Sequence, residues 1–171
     1  MATGDRVVHT RSDGGLTITN LAWGSGPTQH GMTDDEFLAY VIEKDVLGRA
    51  DGRGPADGRT YRVISDSDMP TGDARKFVDA WEDTGTVVQV NLPKARVIHM
   101  DRIRAVRNAE LAKEDITFMR AVEAGDAAAQ STIATKKQTL RDIPATFDIT
   151  TGVTTPELLQ AKWPAALPAR E

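Results

Sequence analysis

Three histidines, His9, His30 and His99, are the chain's imidazoles, and a metal centre would need at least a pair of them at ligand spacing. None stands at i, i+4 from another, and the surrounding sequence puts them on a strand, in a loop and on a helix. They read as isolated surface or packing side chains. Asp66 and Asp68 in Asp66-Ser67-Asp68 resemble part of a calcium loop, but the glycine and distal glutamate of an EF-hand are missing, so turn chemistry accounts for them. Gly24-Ser25-Gly26 is not a G-x-S-x-G nucleophile elbow and reads as a polar loop. Gly52-Arg53-Gly54 lacks the strand–turn–helix setting of a dinucleotide fingerprint. No Walker A sequence is present. Cysteine is absent, which removes disulfides, thiolate metal sites and cysteine nucleophiles. The expectation is therefore no catalytic, cofactor-binding or metal-ligating residue, no cofactor, and no enzyme.

One charged stretch could meet phosphates. Lys94, Arg96, Arg102, Arg104 and Arg107 stand against Asp101, a net of +4 over residues 94–107. The arginines are spread around the helix, and aromatics for base stacking are absent. Pairing with the acidic N-terminal half or with a neighbouring subunit is the expected role, and nucleic acid is not an expected partner. No apolar run reaches the ~18 residues of a membrane helix, and Met1–Thr10 is polar without a signal-peptide core, so no membrane partner is expected.

The elements that would position these residues divide the chain. Of 14 glycines, 12 lie in residues 1–92, whereas residues 94–143 hold Gly125 alone and no proline. Net charge divides likewise, −6 over residues 1–92 and +2 over 93–171, which sum to the chain's −4. The first part reads as short elements joined by turns, the second as mostly helix. The spacing predicts a hairpin of strands 6–11 and 16–20 around Ser12-Asp13-Gly14-Gly15. A loop follows at Trp23–Pro27. Trp23, among glycines, is either exposed at an interface or folded over the sheet. Thr33-Asp34-Asp35-Glu36 has the form of a capping box, with Phe37, Leu38, Val41 and Ile42 on one face, so a helix is predicted over 34–47, stopped by Gly48. Residues 48–60 read as a mobile loop. Further expectations are a strand at 60–65, a short helix over 73–83 with Trp81 on its apolar face, and a strand at 86–90. This gives a small unit of about four strands and two short helices.

Asn91-Leu92-Pro93 opens a helix that can run to Ala124, since proline is favoured in a first turn. Gly125 ends it and Asp126 caps a second helix over 127–142. Ala129, Ile133, Leu140 and Ile143 follow an alternating four–three spacing, broken at Lys136, which predicts a seam for a partner helix. The first helix carries two apolar sets. One is Ala95, Ile98, Ala105, Ala109, Ala112 and Ile116; the other is Val97, Met100, Leu111, Phe118 and Val122. Only one can meet the hairpin partner; the other must meet the α+β unit or another subunit. Thr155-Pro156-Glu157 starts a short helix bearing Leu158, Leu159 and Trp163, followed by a Pro/Ala tail. The fold class is thus α+β, with a small α+β domain (1–92), a long antiparallel helical hairpin (93–144), and a short C-terminal helix and tail (145–171).

Several motifs punctuate these elements: Tyr61-Arg62-Val63-Ile64 with Asp66, Met69-Pro70, Phe77…Ala80-Trp81, Lys94–His99 and Asp101–Arg104. Phe118–Ala121, Glu123–Asp126, Lys137–Pro144, Thr155–Leu158 and Trp163-Pro164 continue the set. Together they resemble small tail-associated proteins of tailed bacteriophages and prophages, alphaproteobacterial in type. The C-terminal part is similar to tail-fibre-associated and tail-fibre-assembly proteins. The Glu36–Ile42 helix fits the pattern, and the glycine-rich loop 48–59 looks like a local expansion. The resemblance covers nearly the whole chain and brings no catalytic residues with it. It implies a non-enzymatic structural protein of the virion, in the tail tip or fibre region, assembled in the host bacterial cytoplasm. It would act by oligomerisation and docking, with other phage tail proteins and copies of itself as partners. A tail-fibre assembly chaperone, or a receptor- or carbohydrate-binding tail module using Trp23, is the alternative. The lack of cysteine suits a reducing cytoplasm, and the charge division suggests head-to-tail contact between copies.

Overall fold

The computed structural model describes residues 4–48 and 51–170. Residues 49–50 of the expected mobile loop, the first three residues and Glu171 lie outside them. The fold is mixed helix and sheet, in two compact units, Met1–Asn91 and Leu92–Glu171.

In the first unit β1 (Arg6–Thr10) and β2 (Leu16–Asn20) form the expected antiparallel hairpin, with Val8 opposite Ile18. The Arg11 N–H donates to the Gly15 carbonyl at 2.8 Å and closes the turn. β3 (Arg62–Ile64) joins the other side of β1, giving the order β2-β1-β3. Successive side chains of a strand point to opposite faces. Val7 and Val8, both 0% exposed, therefore feed two separate cores. Val7 packs with Leu21, Phe37, Val41, Ile42 and Val46. Val8 packs with Ile64, Met69, Trp81 and Val88.

The first core is covered by α1 (Gly26–His30) and α2 (Asp34–Val41). The capping box forms in full. Glu36 N–H donates to Thr33 Oγ1, and the Thr33 N–H donates to Glu36 Oε2 at 2.8 Å. The predicted helix over 34–47 keeps its length but changes its winding, with residues Ile42–Leu47 in a π-helical turn. Five-residue spacing brings Val46 beneath Val41 and into the core, where an unbroken α-helix would turn Asp45 inward instead. The loop read at 23–27 is partly helical, because Pro27 sits in the first turn of α1. Gly26 lies against the Phe37 ring, which a Cβ would overlap, whereas Gly24 faces open space. Gly26→Ala is expected to cost about 1–3 kcal/mol in urea unfolding. Gly24→Ala should stay within about 0.5 kcal/mol, and equal effects would refute the packing.

The second core corrects one expectation. Residues 73–83 do not form a helix with Trp81 on its face. A 3₁₀ run, Gly72–Ala80, is interrupted at Phe77 (φ −115°, ψ 37°), and Trp81 opens a strand, β4 (Trp81–Asp83). β4 pairs antiparallel with β5 (Val88–Val90), so the described residues of the unit form five strands in two sheets instead of about four. Tertiary packing overrides the helical spacing. Phe77 and Ala80 are completely buried, and Trp81 must turn to reach Val8 and Val88.

The second unit comprises α3 (Leu92–Glu123), α4 (Ala127–Thr146) and α5 (Pro156–Ala161). Gly125 takes φ +68°, the left-handed conformation that ends a helix, and Asp126 Oδ1 accepts from the Ala129 N–H at 2.9 Å. α4 runs past the expected Asp142 to include Pro144 in its last turn. Thr155 caps α5, its Oγ1 accepting from the Leu158 N–H at 3.3 Å.

Candidate docking surface

The hairpin is built from α3 and α4 folding back through Ala124-Gly125-Asp126. Gln130 Nε2 donates to the Ala121 carbonyl at 3.2 Å near the tip, and further down Lys136 pairs with Glu114 at 2.6 Å and Lys137 with Asp115 at 2.5 Å. From the Gln130–Ala121 bond to the two lysine pairs the residue numbers rise along α4 and fall along α3, so the helices are antiparallel. That register sets Ile133 at the level of Phe118 and Leu140 at the level of Leu111. Ile133, Leu140 and Ile143 are buried, as the spacing in α4 predicts. Lys137 also places its ammonium 5.1 Å from the centre of the Phe118 ring.

α3 departs from both predicted apolar sets. Of the first, Ala95 is buried and Ile98 half-buried, but Ala105, Ala109, Ala112 and Ile116 are exposed. Of the second, Met100 is buried and Leu111 and Phe118 half-buried, while Val97 and Val122 are exposed. The line turned inward is His99, Ile103, Val106, Glu110, Glu114, Phe118 and Ala121. Counting apolar residues misses it because His99, Glu110 and Glu114 lie on it, and its steps of four, three, four, four, four and three depart from a strict four–three alternation.

His99 anchors the end of the hairpin away from its tip. It is 0% exposed, its Nε2 donates to the Lys162 carbonyl at 2.7 Å, and its ring meets Trp163 edge-on at 6.1 Å. Trp163 in turn donates from Nε1 to the Pro168 carbonyl at 2.8 Å. Arg96 donates to the Val153 carbonyl at 2.9 Å, tying the chain after α4 to α3. Burial pushes the His99 pKa below its ordinary 6.5; the Lys162 carbonyl opposes this, and Arg170 and Arg102 reinforce it. Below about pH 6.5 the unfolded chain takes up a proton that the folded chain refuses, so stability falls as pH drops from that point toward the lower folded-state value. The unfolding midpoint should decline between neutral pH and about pH 5, and His99→Gln should flatten that decline. An unchanged slope in the variant would contradict the assignment.

The other residues singled out for chemistry are engaged locally. His9 is 2% exposed, and its Nε2 donates to the Arg53 carbonyl at 2.7 Å, which also accepts from Thr17 Oγ1. His30 lies against Phe37 and Tyr40. Asp66 pairs with Arg6 at 2.6 Å, and Asp68 accepts from the Ser65 N–H. Ser25 precedes α1 without a side-chain capping bond. Of these residues the fold brings together only His9 and Arg53. A cavity of about 320 Å³ lies beside His9, with Tyr61, Arg62 and Asp83 in its wall. Arg62 and Asp83 neutralise each other there at 2.6 Å. In the basic stretch, Arg104 pairs with Asp101 at 2.7 Å and Arg107 donates to the Asn108 side chain, so both bond within α3. Trp23 is resolved in favour of folding over the sheet. Its Nε1 donates to the Gly4 carbonyl at 2.7 Å, and its ring meets Phe37 edge-on.

Among the described residues no group of three or more His, Asp or Glu could hold a metal ion, and no helix is long and apolar enough to cross a membrane. Among the described residues, several of the most exposed large apolar side chains lie on the outer face of α3. It exposes Val97 (60%), Ile116 (58%), Met119 (57%) and Val122 (44%). Comparison of the chain with family models, curated proteins and solved structures finds no match.

Proposed function

We propose that the chain is a non-enzymatic structural protein of a bacteriophage virion, associated with the tail tip or fibre region, that acts by docking through its helical hairpin. The observation that carries the reading is the outer face of α3. Large apolar side chains stand out on a helix whose opposite side is already packed, and such a face is a contact surface in search of a partner. The residues that resemble tail-associated proteins support it. Asp126 caps α4, Pro144 lies in its last turn, Thr155 caps α5, and Trp163 packs on His99, so these motifs shape the hairpin and its base. Trp23, held in the first core, lends nothing to a carbohydrate-binding reading. Mass spectrometry of purified particles tests the proposal. The chain should be recovered in step with known tail proteins. Its consistent absence overturns the proposal, and absence from mature particles with presence in tail-assembly intermediates favours a chaperone instead.

A further inference from the structure

The first unit also carries a cavity of about 340 Å³ between β1, β2, the 3₁₀ run Gly72–Ala80 and the start of β4. Its size falls in the range of small-molecule sites, which are mostly apolar with a few polar groups. Buried Met69 and Trp81 and half-buried Ile18 form its base. Val78 stands with them, a large apolar side chain left 53% exposed. The polar members are Arg6, Asn20 and Arg75, and their charges do not cancel. Arg6 is matched by Asp66 at 2.6 Å and also donates to Asn20 Oδ1. Arg75 has no carboxylate partner among the described residues, and none of the described residues lining the cavity is acidic. The Arg75 Nε–H donates to the Pro70 carbonyl at 3.3 Å, which holds the side chain in place while both Nη groups keep their N–H donors. The cavity beside His9 differs here, since Arg62 and Asp83 neutralise each other in its wall.

We propose that this cavity binds a small organic monoanion, a carboxylate carried on an apolar body. The paired Nη groups of Arg75 match the two oxygens of a carboxylate, and such charge-assisted bidentate bonds are stronger than neutral ones. The apolar body packs on Ile18 and Trp81 and covers Val78, which takes apolar surface out of water. One uncompensated positive charge answers one negative charge. Inorganic phosphate, largely a dianion near neutral pH, brings a second charge that Arg6, already held by Asp66, is poorly placed to answer, and it has no apolar part for the base. Asn20 keeps its Nδ2 as a further donor, because its Oδ1 accepts from Arg6. This site goes beyond the docking role of the hairpin and does not depend on it.

Titration of the full chain with phenylacetate, followed by two-dimensional amide NMR, tests this directly. Signals of Ile18, Val78 and Trp81 should shift together and saturate. Phenylacetamide, nearly the same shape without the charge, should bind about tenfold more weakly or worse. Arg75→Gln should weaken phenylacetate binding by about tenfold or more, while Val78→Ser should weaken it more modestly by removing apolar contact. Arg75 and Val78 are both exposed, so each variant should keep the circular dichroism of the parent chain. Equal affinity for the acid and the amide overturns the proposal, as does phenylacetate binding unmoved by Arg75→Gln. The absence of saturable shifts at these three residues also overturns it, and so does inorganic phosphate that displaces phenylacetate at equal concentration. None of these results bears on recovery of the chain in particles, so this inference and the proposed function fail independently.

Discussion

Trp81→Ala should cost the protein about 3–5 kcal/mol of unfolding free energy, the range for removing a buried aromatic side chain. The indole is 8% exposed and fills the space between Val8, Ile64, Met69 and Val88. Its Nε1 also donates to the Ala74 carbonyl at 3.0 Å in a buried setting, so the truncation leaves a cavity and an unanswered acceptor together. Trp81→Phe separates the two effects. It keeps most of the ring and loses the hydrogen bond, for which about 0.5–1.5 kcal/mol is expected, plus a smaller volume term. Urea unfolding followed by circular dichroism measures both. A loss below about 1 kcal/mol for the alanine variant would mean that Trp81 is not the centre of the second core.

Leu140→Ala carries the second large effect, about 2–5 kcal/mol. Leu140 is 1% exposed and lies where α4 faces the middle of α3. Leu111 stands at the same level of the hairpin. Glu110 and Glu114 occupy the adjoining inward positions of α3, with side chains 18% and 12% exposed. Their partners, Lys113 and Lys136, are more than half exposed, and pairs of that kind contribute about 0.2–1 kcal/mol. Leu140 therefore matters more than any ion pair of the seam. Lys136→Ala should be several-fold milder than Leu140→Ala in the same unfolding measurement; equal losses would show that the ion pairs dominate.

The elements that could be read from the sequence were those fixed by local chemistry. The turn at Ser12–Gly15, the Thr33–Glu36 capping box, the Gly125–Asp126 hinge and the Thr155 cap each depend on side chains bonding to nearby backbone, and each forms as spacing alone predicts. Where distant contacts decide, periodicity misled. The Ala74–Phe77–Trp81 spacing suits a helix, yet Trp81 is drawn into a strand by Val8 and Val88, far away in the chain. In α3 the inward line runs through His99, Glu110 and Glu114, which apolar counting passes over. The role of His99 is set by Lys162 and Trp163, more than sixty residues away in the chain. The candidate docking surface was half visible. The alanine-rich set on α3, with Ile116, is legible in the spacing; Met119 lies outside the sets that spacing gives, and the direction of the face depends on α4.

We propose that the hairpin docks this chain into a phage tail. Locating it in a density map of whole particles that encode it tests that claim most directly. The account predicts the two antiparallel helices α3 and α4 in the tail tip or fibre region, with Ile116 and Met119 covered by another chain. Particles whose tails contain no such hairpin, or a hairpin with those residues facing solvent, would contradict it.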